Sequence, residues 1–311
     1  MFAPIGVFHE GERSLHQKLD IQERQHQLGL RMIRDHMPDQ HREFFGMLES
    51  VHLGAIDGDG HPWAIMRTGA SGFMTSPNDK ALVIASSPLP GEPENLDLAV
   101  GGKISVVGIE FETQRRNRLN ATIDAVDGDN LSMKVDQSYG NCPKYIQIRD
   151  KTVAGPSAPQ PPITASTLSA ADKSQITAAD TLLIASRAAH LGDDPRAGVD
   201  INHRGGMPGF VSVIDDNTLQ FPDYKGNSFY NTFGNILTDP RIGLQFVDFE
   251  TGTLLNIKGT AEVVEHINDA AMPLMGRGLR IRVDSVVRAE GAMPMRYRFV
   301  TYSDRNPEIA P

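Results

Sequence analysis

The sequence predicts a mainly β protein with short helices, organised as two related barrels in one chain. Two observations predict it. From residue 51 onward, short apolar and β-branched runs alternate with close turns, which indicates a barrel more than a layered α/β domain. The second half also restates the first. GIEFET at 108–113 returns as FVDFET at 246–251, and the same shift of 138 carries NATIDAV (120–126) onto KGTAEVV (258–264) without a gap.

The elements follow in order. Residues 10–36 read as one helix, with Leu15, Leu19, Leu28, Met32 and Ile33 on an apolar stripe. MPDQ at 37–40 ends it, and Asp39 is placed to cap a short helix, QHREFFGML. Residues 1–38 are thus a helical extension and 39–150 the first barrel. That barrel holds VHLGAID and PWAIMRTG around the turn GDGH, then ALVIAS, GGKISVVGIEFE and NRLNATIDAVDGDNLSMKV, the last being two strands turning at Asp127-Gly128-Asp129. Residues 151–168 carry four prolines and no sustained periodicity, so they read as an extended linker. The second barrel, 169–311, opens with a capped helix in SAADKSQITAAD and the strand TLLIAS. GVDINHRGGMPGFVSVID (198–215) reads as a hairpin around RGGMPG. Related barrels in one chain pack as a pseudo-symmetric pair, and ligand sites sit where such units meet.

Composition narrows the function. A chain of 311 residues with 40 % hydrophobic and 22 % charged residues can bury two ordinary cores. The net charge of −9 argues against a general nucleic-acid or membrane-surface binder. The single cysteine, Cys142, can form no intrachain disulfide. MFAPIGVFHEGERS lacks the features of a signal peptide, and no apolar run approaches the roughly 20 residues of a membrane span. The expectation is a soluble cytoplasmic protein. His9, His16, His26, His36 and His41 lack the spacing of a metal motif, so no metal is expected. No Gly-x-Gly-x-x-Gly follows a strand, which argues against a Rossmann nicotinamide domain.

The most informative stretch is QFPDYKGNSFYNTFGN, 220–235. Lys225 supplies a cation and Gly226 allows close backbone approach. Asn227, Ser228, Asn231 and Thr232 supply neutral donors, and SFYNTFGNILTD reads as a helix whose N-terminus can face an anion. The stretch is a phosphate site, or else a polar loop capping a helix. The corresponding segment of the first barrel, SSPLPGEPENLDL, has no cation and several acids, which favours the phosphate reading for the second. Arg204 stands where 198–215 enters its turn and can pair bidentately with phosphate, beside His203 and Gly205; the plainer reading is a solvated turn. Arg67 holds a similar place in the first barrel. In DQSYGNCPKYIQIR, Asn141, Lys144, Tyr145 and Gln147 can reach across to the second barrel, or simply build a turn and a strand. Cys142 reads as a small buried hydrophobe more readily than as a nucleophile. TQRRNRLN, 113–120, is a solvated hairpin tip or a basic rim for an acidic substrate.

Together, MPDQHREFF, PWAIMRTG, RRNRLNATIDAVDG, DQSYGNCPKYIQIR and the long run from GVDINHRGG through PDYKGNSFYNTFGN to FVDFETG resemble the pyridoxamine 5′-phosphate oxidase-related flavin-nucleotide-binding proteins, in their tandem two-barrel subgroup. The resemblance covers about His9 to Arg298. It implies two FMN-binding split barrels with FMN at the seam, Arg204 and Lys225 as phosphate cations, and Asn227, Ser228, Asn231 and Thr232 as auxiliary donors. His203 would donate to a flavin carbonyl, and backbone N–H groups near Gly205 would stabilise charge on reduced flavin. The cation run and C-terminal arginine pattern of the true pyridoxamine phosphate oxidases are missing, which puts that substrate in doubt. The expected activity is an FMN-dependent oxidoreductase acting on a small molecule, with NAD(P)H or a partner reductase as electron donor and a homodimer as the assembly. The alternative is a flavin or haem carrier without turnover.

Overall fold

The computed structural model describes residues 6–152, 158–267 and 276–307. Three helices come first: α1 (Glu10–Lys18), α2 (Gln22–Met32) and α3 (Asp39–Met47). The single helix expected over 10–36 is broken because Asp20 adopts a left-handed φ of +55°, which no helix accommodates. Asp39 does not cap α3. Pro38 is the N-cap, with no side-chain cap bond, and Asp39 instead pairs with Arg42 at 3.0 Å.

Seven strands follow: β1 (Ser50–Ile56), β2 (Pro62–Thr68), β3 (Met74–Asn78), β4 (Ala81–Ala85), β5 (Lys103–Glu110), β6 (Arg115–Asp127) and β7 (Asn130–Gly140). They form one antiparallel sheet ordered β2-β1-β5-β6-β7-β4-β3. After β8 (Ile148–Thr152) and β9 (Ile163–Ala165) comes α4 (Ala170–Ala178), started by a reciprocal cap between Ser169 and Asp172. The second set is β10 (Thr181–Arg187), β11 (Val199–Gly205), β12 (Ser212–Val213) and β13 (Thr218–Pro222), then α5 (Asn231–Thr238), then β14 (Arg241–Val247), β15 (Leu254–Val264), β16 (Gly278–Ala289) and β17 (Arg296–Thr301). Its sheet is ordered β11-β10-β14-β15-β16-β13-β12, the same order as the first when each is counted from its own first strand.

The repeat seen in the sequence carries into hydrogen-bond register. Val107 faces Arg118 in the first sheet, and Gln245 faces Asn256 in the second, each displaced by 138. An irregularity at Asn120/Ala121 recurs at Lys258/Gly259 with the same displacement. Each sheet wraps its own apolar cluster, one around Phe44, Leu53 and Val106, the other around Phe233, Ile184 and Leu244. A third cluster joins the halves through Ala64, Val107, Leu183 and Ile201.

Two expectations about connections change. Residues 198–215 are not a hairpin: β11 pairs with β10 and β12 with β13, so the Gly-rich turn joins the two end strands of the sheet. Alternation on both sides of a turn cannot distinguish these cases. The stretch 151–168 is not wholly irregular, because β9 pairs with β16. Residues 153–157 lie outside the described residues. Strand β8 pairs with β17, tying the end of the first half to the C-terminal strand. Among the described residues no helix is long and apolar enough to cross a membrane.

Candidate functional site

A cavity of about 100 Å³ opens between the two halves. Its second-half wall is β11 and the segment 222–232; its first-half wall is Arg116 from β6 and residues 141–145 after β7. His203, Arg204, Gly205, Gly226, Asn227, Ser228, Asn231 and Thr232 line it, as do Asn141, Lys144 and Tyr145 across from them. Of the residues expected at the site, Lys225 and Gln147 are the exceptions. The Lys225 side chain is exposed and outside the lining, while its carbonyl accepts a 2.9 Å bond from the Tyr145 hydroxyl. Gln147 does not reach the cavity either. It is fully buried and donates to the carbonyls of Tyr145, Asp180 and Gly206, which makes it a brace behind the wall.

Local conformation sets these positions. A side chain at Gly205 would place its Cβ 1.9 Å from the Tyr145 carbonyl oxygen, so glycine lets the two walls meet. The next amide, Gly206, donates to the Asp180 carbonyl at 3.1 Å and is therefore not free to stabilise a ligand. Ser228 and Tyr230 both take left-handed φ values, +61° and +60°, around fully buried Phe229. The Asn227 side chain fixes this turn by accepting from the Phe229 amide at 3.0 Å. From the helical extension, His16 Nε2 meets the Phe229 and Ser228 carbonyls at 3.0 and 3.2 Å. Helix α5 begins only at Asn231, three residues later than Ser228.

Electrostatics favour an anion. Arg204, Arg116 and Lys144 face the cavity against one carboxylate, Asp223. Asp223 is shared: Arg277 holds it at 2.9 Å and Arg204 only at 3.6 Å. Burial pulls the Arg204 guanidinium below its usual value and Arg116 down to about 10; both stay charged near neutrality. Burial, with Arg116 and other cations nearby, holds His203 well below 6.5, so it is neutral. The Nε atoms of Arg204 and Arg116 and Nε2 of His203 are buried without a hydrogen-bond partner. Orphaned donors of this kind are costly and mark where an acceptor fits. The donor set therefore fits an anionic group such as a phosphate.

Behind the cavity lies a buried polar cluster. Arg118, fully buried, pairs with Asp200 and donates to Asn202 at 2.8 Å. Asn120 and Asn235 also donate to Asp200, at 2.8 and 2.6 Å. Asn231 turns its amide N–H away from the cavity toward Glu12 of α1, and Thr232 accepts from Asn202 at 2.9 Å. Burial pushes the Glu12 carboxyl up to about 7.

Several cavity residues were not expected from sequence. The sequence offers Arg116 only as part of a basic rim. Asn202, Asp223, Tyr224 and Tyr230 had no role, though all adjoin the recognised motifs. Cys142 is half-buried on the cavity wall and not a core residue.

No family model and no curated protein sequence matches the chain. Solved structures similar to it include HupZ from Group A Streptococcus, at 18 % identity and a TM-score of 0.29, over 37 % of this chain and 89 % of that one. A FAD-binding protein from Mesorhizobium loti aligns at 14 % identity and a TM-score of 0.27, over 41 % of this chain and 98 % of that one. The FAD-binding protein from Mycobacterium smegmatis aligns at 14 % and 0.27, over 40 % of this chain and 98 % of that one. The functional reading rests on the cavity's own residues.

Proposed function

We propose that the chain is a flavoprotein of the pyridoxamine 5′-phosphate oxidase-like type, two split barrels in one chain, and that it binds FMN in the cavity between them as an oxidoreductase. The observation that carries this reading is the gathering of Arg204, Arg116 and Lys144 in one cavity of a protein whose net charge is −9. Arg204 and the hydroxyls of Ser228 and Thr232 hold the phosphate, and Lys225 contributes at most a screened charge from outside. The cavity is smaller than the roughly 300 Å³ at which small-molecule pockets begin, so it takes the charged end and the rest of the ligand extends through the open side. When bound, the flavin supplies the electron or hydride chemistry. The chain's own residues orient it, exclude water along the β11 wall and present a neutral His203 to it. Electrons come from NAD(P)H or a partner reductase.

The test is a visible spectrum of the purified protein, followed by titration with FMN. The reading predicts a flavin absorbance, or saturable uptake of about one FMN per chain. No bound flavin and no uptake would overturn it. Rapid mixing with NADH or NADPH then separates an oxidoreductase, whose flavin bleaches, from a carrier, whose flavin does not.

A further inference from the structure

We propose that Arg116, supplied by the first half, is a positioning residue that fixes His203 of the second half as the tautomer protonated on Nε2, so that the cavity presents a permanent neutral N–H to an acceptor atom of its ligand. Arg116 Nη1 lies 2.8 Å from His203 Nδ1. A guanidinium has five donors and no acceptor, so the imidazole nitrogen facing it must be the unprotonated one. The proton of the neutral ring is then on Nε2. That atom is buried and has no partner in the protein, and His203 itself is 7 % exposed.

Arg116 is held for this task. Its Nη2 donates to the Cys142 carbonyl at 2.6 Å, which anchors the guanidinium to the cavity wall, and both residues line the cavity. Charge enforces the same state of the ring. Arg149 and Arg204 also act on His203, and each disfavours a second proton there. The side of the cavity formed by β6 and β11 therefore offers donors and no acceptor from Arg116, His203 or Arg204. It selects ligands that present lone pairs or negative charge: a carbonyl edge, a ring nitrogen without hydrogen, or an anion. Under the flavin reading, on which this second step rests, that edge meets the charged end of the nucleotide, whose oxygens accept from it.

The first measurement needs no ligand. Protein labelled with nitrogen-15 histidine gives two-bond correlation patterns that distinguish the tautomers, and His203→Asn identifies the signal among the ten histidines. The expected result is the Nε2–H pattern, unchanged between about pH 5.5 and 8. An Nδ1–H pattern, or titration near 6.5, would overturn the proposal. In Arg116→Ala the pattern should become mixed and its pH dependence should appear, and Arg116→Lys should restore it. If Arg116→Ala does not fold, the wild-type spectrum still decides. The second measurement is FMN affinity, which Arg116→Ala should weaken roughly tenfold or more and Arg116→Lys should largely recover. The Nε2–H pattern without FMN uptake would support the assignment and overturn the flavin reading. FMN uptake with an Nδ1–H pattern would do the reverse.

Discussion

Arg67 and Arg204 stand at matching places in the two halves, on β2 opposite Val51 and on β11 opposite Leu182. Their surroundings differ. Arg67 has a 4 % exposed side chain and is closed off by the protein itself: it donates to the Ser86 carbonyl and to Glu92 at 2.5 Å. Arg204 keeps a 25 % exposed side chain, and its nearest carboxylate is 3.6 Å away and shared with Arg277. The loop after the fourth strand makes the difference. In the first half it delivers Glu92 as a tethered anion; in the second its carboxylate, Asp223, is taken up mainly by Arg277, and the loop adds hydroxyls, amides and an open mouth. Acids in the first loop were expected to repel an anion. They do more than that, because one of them occupies the arginine.

The comparison is sharpened first by Arg67→Ala. It leaves Glu92 buried without its cation, and breaking a buried pair costs about 3–5 kcal/mol. Burial already pushes the Glu92 carboxyl up, so it can take a proton, which places the loss toward the lower end. Urea unfolding measures it. FMN affinity should not change, and a large loss of affinity would mean that the halves had been assigned the wrong way round.

Glu12→Gln comes next and acts through pH. The carboxyl rises from 4.5 unfolded to about 7 folded, so the native state holds a proton the unfolded chain has released. Stability from this group is complete below 4.5 and is lost as pH rises through 7. The variant should therefore match the wild type near pH 4.5 and exceed it by about 3 kcal/mol at pH 8. His41 and His52, both lowered by burial from 6.5 to about 4, act in the opposite sense. They destabilise the fold as pH falls below 6.5. The wild type should thus lose stability on acidification, and Glu12→Gln should lose it more steeply. Thermal melts across this range check both slopes.

Arg204→Ala should weaken FMN binding by about 1.5–3 kcal/mol, the worth of one charge-assisted contact, with little effect on folding because Asp223 keeps Arg277. Calorimetric titration reads it. Lys225→Ala should cost less than about 1 kcal/mol, since its side chain is exposed and any interaction is screened. Equal losses at the two positions would contradict the placement of Lys225 outside the cavity.

Much of this was visible in the sequence for identifiable reasons. Strand alternation and the displacement of 138 are local or one-dimensional signals, and they carried the strands, the repeat and the turn at Gly128. That His203, Arg204 and the 226–232 loop share one cavity was foreshadowed because the first half supplied a contrasting version of the same place. The break in the first helix was not legible, because Asp20 in a left-handed conformation carries no glycine to announce it. Glu12 was missed because its meaning depends on Asn231, 219 positions away. Arg116 was seen as charge and not as a donor to His203, since a contact between the two halves leaves no mark on either segment alone.

The pairing of β8 with β17 has a mechanical consequence. Residues 141–145 form one side of the cavity, yet the strand that follows them finds its partner only in residues 296–301. Strand β17 thus props, through β8, a wall contributed by the other half of the molecule. A substitution that loosens this two-stranded ribbon should reach the binding step from a distance.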